Sequence, residues 1–186
     1  ENTIKTFRGS VLLAGESQDP GESSGIIYGD FLADDIKEMA ASPDGERFFY
    51  FLSAGKSVVG LVSGFDGKKE ERIFSFPFSE WLVSWPQNDT LVLTTKPSAY
   101  TDGFAYTLNV RTKALKKLLG GVRGLTARPS PELASILYSR GLKNKIDTFL
   151  FDVKNNTVKS SPISTLSEKC VWGRKEAAVV YCGVPE

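Results

Sequence analysis

Ser42-Pro43-Asp44-Gly45 leads into the apolar run Phe48-Phe49-Tyr50, and the same succession of tight turn and strand returns three times along the chain. Trp85-Pro86-Gln87-Asn88 precedes Leu91-Val92-Leu93, Ser130-Pro131-Glu132 precedes Ile136-Leu137-Tyr138, and Trp172-Gly173-Arg174-Lys175 precedes Val179-Val180-Tyr181. Successive turns are 43, 45 and 42 residues apart. Proline presets the φ a turn needs, Asp and Asn bond their own backbone, and glycine reaches positive φ, so each segment reads as a chain reversal.

A second landmark keeps the same period. Gly64-Phe65-Asp66-Gly67-Lys68, Thr107-Leu108-Asn109-Val110-Arg111 and Leu150-Phe151-Asp152-Val153-Lys154 place a polar turn residue at 66, 109 and 152, a constant step of 43. Between the landmarks, β-branched and aromatic residues alternate with Gly and Pro breaks, and no 3.6-residue periodicity competes. The first clear unit reads as strands over residues 36–41, 47–53, 58–65 and 70–76. Four short strands repeating every 40 to 45 residues predict an all-β fold, a β-propeller or partial propeller of four-stranded antiparallel blades with about 43 residues per repeat. A β-sandwich also has frequent turns but does not predict that recurrence.

The Ser-Pro-Asp-Gly turn at 42–45, with its degenerate copies at 85, 130 and 172, resembles the repeat of TolB-type and tricorn-protease-type propellers, the WD-like class. The resemblance covers about residues 30–184 and implies a fold rather than an activity. The strings Ser79-Glu80-Trp81-Leu82-Val83-Ser84-Trp85, Leu93-Thr94-Thr95-Lys96-Pro97-Ser98 and Lys169-Cys170-Val171-Trp172 are similar to uncharacterised propeller proteins of candidate-phylum bacteria. That similarity implies an anchored or secreted, extracytoplasmic protein. The chain begins at Glu1 without Met, as a mature form or an excised piece of a longer protein does, and either leaves room for a removed signal peptide or anchor.

The 186 residues read as a single propeller domain: residues 1–30 as N-terminal strands and a loop, 31–77, 78–121 and 122–165 as full blades, and 166–186 as a partial blade. Residues 3–7, 11–13 and 25–28 are strand candidates, and 15–25, rich in Ser, Gly and acidic residues, reads as a linker. Two closures are open to such a chain. Its own N-terminal strands complete the last blade, or several chains pair their open blades, because unpaired strand edges favour self-association.

Composition restricts the chemistry. With 41% hydrophobic and 24% charged residues the chain supports a buried core. Lys plus Arg at 23 against Asp plus Glu at 22 gives no global field to gather nucleic acid, and no apolar run approaches the roughly 20 residues of a membrane-spanning helix. The absence of His excludes a Ser-His-Asp triad and a His-ligated metal within this sequence, and Cys170 and Cys182 alone cannot build a four-thiolate site. Asp34, Asp35 and Asp44 lack the spacing of a cation loop, so no metal and no cofactor is assigned.

Cys170 and Cys182 flank the last hairpin symmetrically, so antiparallel pairing sets them opposite each other, either as a cross-strand disulfide or as two small buried thiols. Trp81, Trp85 and Trp172 read as stacking platforms or as wedges packed between blades. Propeller sites gather at loops joining second to third strands and at the links between blades. These give Glu80, Trp81, Lys96, Tyr100, Asp102, Arg123, Arg140, Lys143, Lys145 and Lys169 as the candidate ligand- or partner-binding residues, against the plainer reading of a solvated loop surface. Runs at 68–72 and 113–117 read as edge-protecting charges. The sequons at Asn88 and Asn155 fall in turns that favour Asn for its backbone bonding.

The sequence therefore points to a non-catalytic module that binds a protein or peptide and completes its ring with its own strands or by forming a homo-oligomer. The alternatives are a carbohydrate-binding or glycoside-processing propeller using Glu80, Asp102 or Tyr100, and a regulatory propeller of a larger peptidase.

Overall fold

The structure, a computed structural model, describes residues 7–11, 27–31, 34–65, 69–142, 145–173 and 179–185. Three four-stranded antiparallel sheets follow one another in chain order. The first contains β3 (Ile36–Ala41), β4 (Arg47–Ala54), β5 (Ser57–Gly64) and β6 (Glu71–Phe76). The second contains β7 (Trp81–Gln87), β8 (Thr90–Thr95), β9 (Asp102–Asn109) and β10 (Leu115–Arg123), and the third β11 (Thr126–Pro129), β12 (Ser135–Leu142), β13 (Lys145–Asp152) and β14 (Thr157–Ser160). Each is a meander in which sequential strands are neighbours. At the two chain ends stand two-stranded sheets, β1 (Phe7–Val11) with β2 (Ile27–Phe31), and β15 (Cys170–Trp172) with β16 (Val180–Cys182). The sequence-expected strands at 3–6 and 12–13, the 15–25 linker and the turn at 66–68 lie outside the described residues.

The repeating turn works as its residues demand. Ser42 Oγ accepts from Arg47 N–H at 2.9 Å and donates to the carboxylate of Asp44, which also accepts from Glu46 N–H at 3.0 Å. These bonds hold the Asp44 carboxyl below the usual carboxylate range, the Ser42 hydroxyl contributing most. Gly45 takes φ +74°, a region costly to any residue with a Cβ. Ser130 repeats the arrangement, accepting from Ser135 N–H at 3.1 Å. At the third-to-fourth-strand hairpins Asn109 and Asp152 cap their own turns, accepting from Thr112 N–H at 2.8 Å and Asn155 N–H at 2.9 Å. That is why the second landmark wants a short polar residue.

Successive second strands bury both faces. In β4, Phe49 and Phe51 face the second sheet and join Trp81, Trp85, Leu91 and Leu93 in one core, while Phe48 and Tyr50 form a cluster with Ile36 and Leu61 on the other side. A second core unites Ala105, Leu119 and Leu125 with Ile136, Tyr138 and Phe151. A third packs Leu137 against Cys170 and Trp172. Each sheet thus buries apolar residues against its neighbour, the sheet-on-sheet packing expected of consecutive blades.

Polar ties repeat along one rim. Arg47 donates to Asn88 O at 2.9 Å with its guanidinium 5.4 Å from the Trp85 ring, Gln87 donates to Glu132 O at 2.6 Å, and Trp172 Nε1 donates to Arg128 O at 3.1 Å. At the last step the link 161–169 is fixed by buried hydroxyls. Thr165 O accepts from Ser139 Oγ and Thr148 Oγ1, both at 2.8 Å, and Ser167 Oγ meets Thr126 Oγ1 at 2.9 Å.

Cys170 and Cys182 form a disulfide across directly opposed positions, with Cα atoms 4.1 Å apart. The flanking pairs carry the ladder bonds, Gly183 N–H to Lys169 O and Gly173 N–H to Val179 O, so the cystine occupies a non-hydrogen-bonded pair. Of the two readings open to these thiols, the structure contains the bonded one.

Candidate binding site

Antiparallel meanders sort the loops onto two rims. The Ser-Pro turns and the third-to-fourth-strand hairpins share one rim; the second-to-third-strand loops and the links between sheets share the other. The described candidate binding residues stand on the link rim, where six of the charged ones form small ion pairs. Lys96 lies 3.3 Å from Glu80, and Arg123 lies 3.4 Å from Asp102. Arg140 and Lys145 both reach Asp147 at 2.8 Å. Tyr100 is 90% exposed on a loop whose Ser98 Oγ accepts from the N–H groups of Tyr100 and Thr101. Lys169 ends the short 3-10 turn Ser167–Lys169, exposed, with its carbonyl engaged by Gly183. Lys143 lies outside the described residues.

Trp81 has a different place from the one its neighbours suggest. It is 2% exposed, packed edge-to-face by Phe74, Phe76, Phe78 and Tyr106, with Nε1 donating to Phe78 O at 2.8 Å. Its size and its indole N–H are used in packing, and it offers no open face to a ligand.

The charges on this rim are arranged for mutual neutralisation. The Arg140 hydrogen bond, seconded by Lys145, holds the Asp147 carboxyl below the usual range. Burial pushes the Glu38 carboxyl up, and Lys96 partly opposes that. Arg140 also covers the Phe149 ring at 5.2 Å and keeps a buried Nε without a partner. Among the described residues no three carboxylates or cysteines form a group able to hold a metal ion.

A concavity lies on the other rim. A cleft of about 470 Å³ is lined by Pro43, Pro86 and Pro131 from three successive sheets, by Trp85 and Trp172, and by Arg128. Both indole donors are engaged, Trp85 Nε1 to Asn88 O at 3.3 Å and Trp172 Nε1 to Arg128 O at 3.1 Å, so what the rings turn to the cleft is hydrocarbon. Arg128 donates to Glu168 O at 3.3 Å and has no carboxylate partner among the described residues. Proline and indole rings with one unneutralised guanidinium suit an extended apolar segment carrying a carboxylate. A second cleft of about 460 Å³ lies beside β5, with Arg47, Lys69, Glu46 and Phe65 in its wall. The prolines of the first cleft were visible in the sequence as fold landmarks; their period itself was the sign that the fold stacks them on one rim.

No protein-family model and no curated protein matches the sequence. Among solved structures, TolB from Acinetobacter baumannii superposes with a TM-score of 0.56 at 11% identity, over 85% of this chain and 42% of that one. The fold is that of a β-propeller, shared by TolB and peptidase propeller domains. A putative TolB from Agrobacterium tumefaciens gives a TM-score of 0.54 at 12% identity over 83% of this chain and 60% of its own. The propeller domain of the Trilobed protease from Pyrococcus furiosus, described as having an open velcro topology, gives 0.58 at 9% identity over 74% and 46%. The chain spans less than half the length of the Acinetobacter TolB, and its three complete blades with two half-blades form a partial propeller.

Proposed function

We propose that this partial propeller is a non-catalytic module that binds a protein or peptide segment, in an oxidising, extracytoplasmic compartment. The observation that carries the reading is the proline and tryptophan cleft with Arg128 at its wall. Rigid rings bury ligand area without losing side-chain entropy, and a lone guanidinium supplies the orienting contact. The cystine supports the compartment, since such bonds seldom persist in reducing cytosol. The glycoside-processing alternative needs two carboxylates facing one cleft, whereas Glu80 and Asp102 are each engaged by a cation of their own and line neither described cleft.

The test is an array of short extended peptides that pair a proline or aromatic residue with a carboxylate, each beside its amide counterpart, with hits measured by calorimetry. Carboxylate peptides bind better than amides, and Arg128→Gln weakens them about tenfold, the loss of one oriented charged contact. Binding indifferent to Arg128→Gln and Trp172→Ala but lost in Arg123→Ala would move the site to the link rim. No hits on the array would sink the peptide reading.

A further inference from the structure

The donors that line the proline and tryptophan cleft decide which part of a peptide it takes. Pro43, Pro86, Pro129 and Pro131 have no backbone N–H to offer. The Trp85 and Trp172 indoles already donate to Asn88 O and Arg128 O. Among the lining side chains, donors remain at the Ser84 hydroxyl and the Arg128 guanidinium.

A backbone carbonyl pressed on such a wall gives up water and finds no N–H, a loss that an extended segment repeats at each residue it lays across the cleft. A chain terminus escapes most of it. It brings one side chain to the rings, and its two carboxylate oxygens are the strong acceptors that a guanidinium fork holds side by side.

Arg128 is placed for that contact. Its guanidinium is exposed, donates to Glu168 O at 3.3 Å from the short turn ahead of β15, and meets no carboxylate among the described residues. Its own carbonyl accepts from the Trp172 indole at 3.1 Å, so one residue sets the spacing between the cation and a ring of the cleft. The volume of about 470 Å³ lies near the lower end of the range for ligand pockets, roughly 300–1,000 Å³, which suits the end of a chain better than a long stretch of it.

We infer that the ligand is a free peptide C-terminus whose last residue is large and apolar, with its α-carboxylate on Arg128 and its side chain against Trp85, Trp172 and the prolines. The inference rests on the proposed peptide-binding function and narrows it. An internal Asp or Glu also supplies a carboxylate, but its chain must leave across the donor-poor wall in both directions.

The test uses acetylated Gly-Gly-Pro-X peptides in which X is Phe, Leu, Trp or Val, each as free acid and as amide. A third form is amidated, with an Asp before X and two glycines after it. Calorimetry at about 0.15 M salt should show, for at least one X, the free acid binding about tenfold tighter than both other forms. Arg128→Gln removes that preference, and Arg128→Lys, which keeps the charge without the fork, retains only part of it. Trp172→Ala weakens acid and amide alike, and far-ultraviolet dichroism is unchanged in all three variants. Asp-bearing peptides that match the free acids, both depending on Arg128, overturn the terminus inference and leave the cleft reading intact. A preference for the free acid that survives Arg128→Gln overturns the inference as well. Absence of binding by every peptide, or binding that ignores both Arg128→Gln and Trp172→Ala, overturns the inference and the cleft reading together.

Discussion

Two glycines show how differently one substitution acts in this fold. A Cβ on Gly60 would lie 2.6 Å from the Phe49 ring and 2.9 Å from Phe74 Cβ, so Gly60→Ala forces a fully buried aromatic cluster apart. A Cβ on Gly45 would meet nothing within 4 Å, and its cost comes from φ +74° alone. Urea unfolding should show a loss of about 1–3 kcal/mol for Gly60→Ala, and about 1 kcal/mol for Gly45→Ala. Only the second was legible in the sequence. Gly45 sits in a motif whose turn type requires it, whereas Gly60 interrupts a strand and its crowding comes from a residue eleven positions away. Trp81 teaches the same lesson, because nothing local announces that four aromatic rings from two strands and a link converge on it. Asp147 gives a pH signature. Its folded pKa is depressed by Arg140 and Lys145, so its contribution to stability is present above the ordinary carboxylate value of about 3.9 and is lost as pH falls through the depressed one. Thermal melts from about pH 6 to 2 should show a smaller acid loss in Asp147→Asn than in the parent. Equal slopes would remove Asp147 from the acid response.

Strand bounds were legible because their punctuation is chemical. The expected 36–41 strand coincides with Ile36–Ala41, and 70–76 differs from Glu71–Phe76 by one residue. The last turn reads less well. By its bond to Val179 O, Gly173 takes the place that Ser42 and Ser130 hold through Arg47 O and Ser135 O, so Trp172 stands one position earlier than the Ser-Pro spacing suggests. Gly173 and Val179 are six positions apart where Ser42 and Arg47 are five, a difference that a period counted on turn residues cannot see. The hydroxyl network at 161–169 was not legible at all, since Ser139, Thr148 and Thr165 share no spacing and act only once their strands are paired. Three residues per strand give β15–β16 few ladder bonds, and the cystine compensates. The double variant Cys170→Ser, Cys182→Ser should lose about 2–3 kcal/mol by the chain-entropy estimate for a loop of this size. The loss should appear in hydrogen exchange of residues 170–182 before it appears in the global melt. Coincident loss throughout the chain would show that the hairpin is not a separable unit.

At the scale of the whole molecule, a row of blades that touch only their neighbours distributes stability unevenly. β4, β8 and β12 each bury both faces, whereas β15–β16 packs one face on the third sheet and leaves Val171 and Tyr181 open on the other. Local opening is governed by buried contact, so amide exchange measured at low micromolar protein should run from strongest protection in β8 to weakest at Val180 and Cys182. The amides of those two residues are the discriminating ones, because they point away from β15 and no described residue hydrogen-bonds them. If another chain pairs with this edge, their protection rises with concentration, while β8 stays as it was. If the edge stays bare at every concentration, protection at Val180 and Cys182 remains near zero and the gradient along the chain keeps one shape. A gradient that flattens without any change in mass would mean that the chain's own β1–β2 has reached β16, the one closure for which concentration is irrelevant.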